Sequence, residues 1–255
     1  MTLLTTIMIL FGAGILSGLL SAIAGLASLV SYPVLLMLGL PAVSANTTNT
    51  AALIFTGAGS SLSSLKELRA HKQTTWHVVV FALIGAVIGS FILVIAPSTV
   101  FAKVVPFLVA GSGGLMIWSE FRRPQPTKQT ATNHSAGNLF KNITILLVGI
   151  YIGYFGASSG MILLAILTVT LNQSFLVSNA IKNFTCFLAN ALSLVIYAFT
   201  TKIYWWMVVP MGLGMFIGGY LGAFVIRFLP LRPLRVGIAF LAFGLAAYLG
   251  YTAYF

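Results

Sequence analysis

Residues able to do acid–base, nucleophilic or metal chemistry are scarce in this 255-residue chain. The only acids are Glu67 and Glu120, the only histidines His71, His77 and His134, and the only cysteine Cys186. The acids stand at helix ends beside basic residues, and the histidines in or next to loops. No pair of carboxylates is spaced for general acid–base work. No His/Cys/acid set has metal-ligand spacing. No phosphate-cradling glycine motif precedes a Lys-Ser/Thr pair, so the chain has no ATPase of its own. The sequence therefore predicts a non-enzyme without cofactors.

What remains is polar but uncharged, apart from one lysine. Ser44, Asn46, Thr47, Thr48, Asn49 and Thr50 open one long apolar stretch. Ser178, Asn179, Lys182, Asn183, Thr185 and Asn190 open another. Helical spacing puts Asn179, Lys182, Asn183 and Asn190 roughly on one face, and Asn46 with Asn49 on another. Polar groups at membrane depth are costly and need a reason. For a single Ser or Thr, hydrogen bonding between helices is the commoner reason. For Asn49 and Asn183, at matched positions, a functional role is the better reading. Lys182 either snorkels to the interface along its four-carbon stem or holds an anion, because its ammonium needs negative charge nearby. The chain places no Asp, Glu or His within a span to act as a proton relay, which favours an anion moving down its electrochemical gradient.

Two glycine–serine breaks could present helix N-termini to such an anion. One is Ser17-Gly18-Leu19-Leu20-Ser21-Ala22-Ile23-Ala24-Gly25, the other Gly153-Tyr154-Phe155-Gly156-Ala157-Ser158-Ser159-Gly160. Broken backbone at membrane depth is tolerated only inside protein or beside a wet cavity. Gly85-xxx-Gly89 and Gly214-xxx-Gly218 are better explained by close helix packing.

The elements that must position these groups are membrane helices. Hydrophobic residues make up 59% of the chain and charged residues 6%, against roughly a quarter charged in soluble domains. No charged side chain precedes Lys66. The apolar runs lack the alternation of barrel strands, and the N-terminus lacks the basic region of a cleavable signal. The expected fold is an all-α polytopic membrane protein. Eight long transmembrane helices fall near 3–23, 42–65, 74–96, 99–120, 139–158, 175–200, 203–227 and 231–254. Two short broken or re-entrant helices fall near 26–38 and 161–172, each too short for a comfortable crossing.

The landmarks recur in order. Gly14, Gly18 and Gly25 match Gly149, Gly153 and Gly160 at one offset, and Asn49 follows the first series as Asn183 follows the second. The chain thus divides into a first repeat at 1–121, a polar linker at 122–138 and a second repeat at 139–255. If the repeats are inverted, Lys103 and Lys202 are the only basic loop residues left outside, which suits the positive-inside bias better than parallel repeats. Both termini then face outward, and the linker is cytoplasmic. The net charge of +11 reflects juxtamembrane anchors between apolar runs rather than a nucleic-acid footprint. The expected partners are the lipid bilayer and a small anionic substrate; monomer and homodimer are both open.

These motifs resemble the sulfite exporter TauE/SafE family over nearly the whole chain. The resemblance rests on Gly14-xx-Ser17-Gly18-xxxxxx-Gly25, then Gly39-Leu40-Pro41, then Ala45-Asn46-Thr47-Thr48-Asn49. It returns more weakly in Gly149-xxx-Gly153-xx-Gly156-xxx-Gly160 and Val177-Ser178-Asn179-Ala180-xx-Asn183. Many members carry three consecutive glycines after the first break, where this chain has Gly25-Leu26-Ala27-Ser28. The resemblance implies a permease of the cytoplasmic (inner) membrane exporting sulfite, a sulfonate or a related sulfur-containing organic anion. Together with the residue reading, it gives candidate substrate-binding residues Ser21, Gly25, Asn46, Thr48, Asn49, Ser158, Ser159, Gly160, Asn179, Lys182 and Asn183. A passive anion channel and a non-transporting scaffold subunit are the alternatives.

Overall fold

The computed structural model describes residues 2–121, 134–157, 159–171, 173–225 and 231–254. Among the described residues the regular structure is entirely helical. The first half contains α1 (Leu3–Ala24), α2 (Ser28–Met37), α3 (Ala42–Ser63), α4 (Leu65–Ala70), α5 (Lys72–Ile95) and α6 (Ser98–Phe121). The second contains α7 (His134–Tyr154), α8 (Ser159–Thr170), α9 (Phe175–Thr200), α10 (Trp205–Val225) and α11 (Leu231–Tyr254).

Local chemistry fixes the ends. Thr2 caps α1, its hydroxyl accepting from Thr5 N–H, and Ser174 caps α9 by accepting from Val177 N–H. Gly25 closes α1 in the left-handed region at φ 73°, a conformation that costs a Cβ-bearing residue energy. Its N–H donates to the Ser21 carbonyl, and Leu26 N–H reaches back to the Leu20 carbonyl, so the left-handed glycine closes the last turn with a pair of bonds. Gly156, at φ 71°, closes α7.

Three elements depart from the sequence expectation. Residues 134–138, assigned to the polar linker, begin α7; their Ser, Ala and Asn do not oppose helix once the apolar run behind them nucleates it. The short helix α4 separates α3 from α5, where one long helix was expected to run to residue 65. The left-handed cap of the second half is Gly156, whereas Gly160 lies in the first turn of α8. The constant glycine offset therefore fails after Gly153, because α1 runs one turn further past its crossing glycines than α7 does.

Glycines set the helix pairing. A Cβ at Gly14 or Gly18 would overlap the Met211 or Met215 carbonyl of α10, and one at Gly214 or Gly218 would overlap the Phe11 or Ile15 carbonyl of α1. The same reciprocity joins Gly85 and Gly89 of α5 to Leu146 and Ile150 of α7, and Gly149 and Gly153 to Ala82 and Ala86. Backbones this close favour Cα–H contacts to carbonyl oxygen, worth about 0.5–1 kcal/mol each. In both seams the contact positions rise together along the two helices, so α1 runs parallel to α10 and α5 parallel to α7.

The remaining packing follows these seams. α3 packs on α10 and α9 on α5; α3 and α9 meet each other, and α6 pairs with α11. One apolar core gathers Leu10, Leu26, Leu35, Phe101 and Met211; the other gathers Val78, Ala86, Ile145, Leu163 and Ile181. α3 and α9 lie where these cores meet, and they bury the polar residues: Asn46, Thr47, Thr48 and Asn49 on α3, and Ser178, Asn179, Lys182 and Asn183 on α9. Among the described residues, four helices are long and apolar enough to cross a membrane: Leu3–Ile23, Lys72–Ile95, Phe175–Thr200 and Trp205–Gly222. Shorter apolar helices include Ser28–Met37, Ser98–Gly111, Leu139–Tyr154 and Ser159–Thr168. α3 has the length but not the apolarity, because it carries Asn46, Thr47, Thr48, Asn49 and Thr50, which are buried in protein.

Candidate functional site

The two breaks in the helices meet. A Cβ on Gly160, at the start of α8, would stand 2.9 Å from Gly25 Cα, at the end of α1. Four helix ends thus converge: the C-termini of α1 and α7 and the N-termini of α2 and α8.

Each broken C-terminus is capped from the other half. Asn179 Nδ2 of α9 donates to the Ala22 carbonyl at 2.9 Å, and Asn46 Nδ2 of α3 donates to the Tyr154 carbonyl at 3.2 Å. Terminal carbonyls have no partner within their own helix, so these amides supply what a broken helix lacks. Lys182 extends the same work. Its Nζ donates to the Ser21 carbonyl at 2.9 Å, where a cation suits the negative end of the α1 dipole. The side chain is 1% exposed, so Lys182 does not snorkel.

A small cavity lies at this junction. It measures about 30 Å³ as space open to the centre of a water molecule, enough for roughly two waters. Ser21, Gly25, Ser159, Gly160, Lys182 and Asn183 line it, and all six were singled out from sequence. Asn183 is 4% exposed, and its Nδ2 makes no hydrogen bond in the structure. An unmatched buried amide costs on the order of 1–3 kcal/mol, which an incoming acceptor would recover.

Four other candidates are engaged away from the cavity. Asn46 and Asn179 hold the caps just described. Asn49 accepts from Ser31 Oγ at 2.6 Å and donates to Ser28 Oγ at 3.0 Å, tying α3 to α2. Thr48 Oγ1 accepts from Tyr204 N–H at 3.2 Å, just before α10. Ser158 lies outside the described residues.

The cavity also takes residues that were not among the substrate-binding candidates, although Asn190 and Gly156 stood in the polar face and the second break. α3 contributes Leu53, Thr56, Gly57 and Ser60; α9 contributes Cys186, Phe187 and Asn190; Ala27, Ser28 and Gly156 complete the breaks. Their signal was a stripe at steps of three and four: Asn49, Leu53, Thr56 and Ser60 on α3, and Asn179, Lys182, Cys186 and Asn190 on α9. Polarity marked the first turns of α3, whereas the cavity draws on later ones. Thr56 Oγ1, like Asn183 Nδ2, is buried with no hydrogen bond. Among the described residues, no group of three or more His, Cys, Asp or Glu could hold a metal ion.

Chemically, the junction offers an ammonium, an amide donor, hydroxyls and two helix N-termini, with no carboxylate in its lining. It can hold a small anion, and no nucleophile–base pair stands there to transform one.

Comparisons agree with a transport role. A "Probable membrane transporter protein" of Haemophilus influenzae is 25% identical over 215 residues, covering 84% of this chain and 83% of that protein. A "Probable membrane transporter protein ORF9" of a Sinorhizobium species is 24% identical over 216 residues, covering 84% of this chain and 80% of that protein. No solved structure matches the chain. The sulfite exporter TauE/SafE family matches residues 10–249. The chain is a multi-pass membrane transporter, not an enzyme, and belongs to the sulfite exporter TauE/SafE family.

Proposed function

We propose that this transporter exports a small sulfur-containing anion, sulfite or a compact sulfonate, by alternating access at the cavity between two inverted repeats of the cytoplasmic membrane. The observation that carries this reading is the cavity itself: both helix breaks, Lys182 and the unmatched amide of Asn183 converge on it, and no carboxylate lines it. Helix breaks with termini facing a central site are the recurring device of secondary transporters.

Exchange of partners supports the repeats. Under the correspondence α1 to α7, α3 to α9 and α5 to α10, the α1–α10 seam becomes the α7–α5 seam. The α3–α10 contact likewise becomes α9–α5. The caps exchange too, Asn46 on α7 for Asn179 on α1. Inversion follows if α3 and α5, joined through the six-residue α4, run antiparallel, as short connections between long helices usually require. The eight long helices then cross the membrane, while α2 and α8 return part-way. Lys66, Arg69 and Lys72 lie inside with the cytoplasmic 122–133 segment. Trp76 and the Trp205–Trp206 pair, about half exposed at the starts of α5 and α10, become anchors at opposite interfaces.

Flux of labelled sulfite, methanesulfonate and acetate into proteoliposomes, with the membrane potential varied, tests the reading. Saturable flux that responds to potential is expected. Unsaturable flux identifies a passive channel; no flux above protein-free vesicles identifies a non-transporting subunit.

A further inference from the structure

The polar groups around the cavity divide by whether protein already occupies them. Ser28 Oγ accepts from Asn49, while Ser60 and Ser159 donate to the Thr56 and Gly156 carbonyls. Among the described residues, the buried side-chain atoms of the lining that make no hydrogen bond are Asn183 Nδ2 and Thr56 Oγ1. Both can donate, and they come from different halves of the chain, Thr56 from α3 and Asn183 from α9.

Thr56 departs from the habit of this protein. A helical Ser or Thr can place its hydroxyl on the carbonyl four residues back. Thr50, Thr75, Thr144, Thr170 and Thr200 all do so. Thr56 is 2% exposed and does not. Its backbone is nevertheless firmly placed. A Cβ on Gly219 of α10 would stand 2.6 Å from the Thr56 carbonyl oxygen, and Ser60 Oγ donates to that oxygen at 2.9 Å. Next to Thr56, a Cβ on Gly57 would stand 2.5 Å from Phe187 Cβ, one turn beyond Asn183. The close α3–α9 contact thus sets Thr56 and Asn183 on two helices around one space of about 30 Å³, with room for roughly two waters. A buried polar group without a partner costs free energy. Two of them on one small cavity call for an occupant with two acceptors.

We propose that Thr56 is a substrate-binding residue and that the site takes compact oxyanions, two of whose oxygens accept from Thr56 Oγ1 and Asn183 Nδ2 at once. This rests on the small-anion reading above and narrows it to anions with at least two oxygens on one centre: bisulfite, small sulfonates, formate. The bound anion joins α3 to α9, and so one half of the transporter to the other. A halide fills about the space of one water and satisfies one donor, leaving the other buried without a partner. Unmatched polar groups of this kind are how a polar site rejects an analogue.

Thr185 supplies the control. It is fully buried on α9, its hydroxyl also makes no hydrogen bond, and it does not line the cavity. Valine at either position exchanges an unmatched hydroxyl for a methyl group, so Thr56→Val and Thr185→Val should both keep or raise the wild-type Tm. Methanesulfonate flux into proteoliposomes of the full-length protein then separates them. Thr56→Val should raise the concentration for half-maximal flux about tenfold, the weight of one hydrogen bond to a charged group. Thr56→Ser and Thr185→Val should stay within about twofold. Competition against methanesulfonate reads the selectivity. Formate should compete about tenfold better than chloride in the wild type, and that ratio should shrink to about threefold or less in Thr56→Val.

Wild-type half-saturation in Thr56→Val, or chloride competing as well as formate in the wild type, overturns the two-donor site while leaving the transporter intact. A raised half-saturation concentration with an unchanged formate-to-chloride ratio makes the hydroxyl structural and overturns it too. Absence of saturable flux in the wild type overturns the transporter reading together with the site. If Thr56→Val does not fold, Thr56→Ala and the wild-type ratio decide the question.

Discussion

α3 and α9 carry matched polar clusters and put them to different uses. Asn46 and Asn179 behave alike, each capping a broken helix of the other half. One turn later the likeness ends. Asn49 spends both amide atoms on the Ser28 and Ser31 hydroxyls of α2. Asn183 leaves its Nδ2 unmatched at the cavity. Thr48 accepts a backbone N–H near α10, and its counterpart Lys182 brings the only full charge to the junction. The difference originates in the short helices. Ser28 and Ser159 both open their helices, but the fourth residue is Ser31 in α2 and Ile162 in α8. Ser28 Oγ accepts from Asn49 Nδ2 and Ser31 Oγ donates to its Oδ1, whereas Ser159 Oγ donates to the Gly156 carbonyl and Ile162 offers no hydroxyl. Under the proposed repeats, a shared framework and single-sided chemistry coexist, and a test of one should leave the other untouched.

The largest effect should come from the framework, equally in both halves. Leucine at Gly18 must displace the Met215 carbonyl, and leucine at Gly89 the Ile150 carbonyl. A helix backbone cannot yield locally to a side chain, so each seam must part. Both Gly18→Leu and Gly89→Leu should abolish the monodisperse peak on size-exclusion chromatography in detergent. If one variant folds normally, the two seams are not equivalent.

Next is the pair Lys182 and Thr48. Lys182→Gln should lower anion flux at least tenfold, because it removes the only full charge in the cavity lining. Thr48→Val costs one hydrogen bond outside the cavity and should change flux less than twofold. Equal losses in proteoliposome assays would place the chemistry in both halves and end the single-sided account.

The two asparagines should separate activity from stability. Asn49→Ala removes two buried hydrogen bonds and leaves Ser28 Oγ without its donor, while Ser31 Oγ keeps the Ala27 carbonyl. Such bonds average about 0.6 kcal/mol in membrane proteins, with a maximum of about 1.7, so roughly 1–2 kcal/mol and a few degrees of Tm should be lost. Asn183→Ala removes an amide whose Nδ2 makes no hydrogen bond. Its Tm should hold within about a degree, while the concentration for half-maximal flux rises several-fold. The reverse outcome, a stability loss at Asn183 and an affinity loss at Asn49, would exchange their roles.

How far the sequence foretold these differences depends on the distance over which they arise. The eight long helices and two short ones were legible because apolar runs and glycine or proline breaks are local signals. Gly85-xxx-Gly89 and Gly214-xxx-Gly218 were legible as packing motifs, but not their partners, since spacing does not say which helix lies opposite. Asn49 and Asn183 looked equivalent because they sit in equivalent strings of polar residues. Their fates depend on what a different, short helix offers them, as Ser28 and Ser31 do for Asn49, and no periodicity along α3 or α9 contains that information. Thr56 and Ser60 were missed for a related reason. The polarity that drew the eye stood in the first turns of α3, whereas α3 faces α9 at later ones, near Gly57 and Phe187. Lys182 was singled out as a cation needing negative charge. That the end of α1 would supply part of it required knowing that α1 stops beside α9.

The smallest effect bears on what the halves share. Asn46→Ala and Asn179→Ala each remove one donor from a terminal carbonyl in the opposite half. The carbonyl keeps a second lone pair, and at Ala22 the neighbouring Lys182 still engages Ser21. Each variant should therefore lose only about 0.5–1 kcal/mol, read as a Tm shift of about 1–4 °C, with flux within about twofold of wild type. If the caps are true counterparts, the two shifts should agree within about a degree. A markedly larger loss at Asn179 would mean that the α1 terminus, where Lys182 also binds, is the more highly stressed of the two breaks. The asymmetry seen at Asn183 would then begin at the helix ends themselves and extend into the framework.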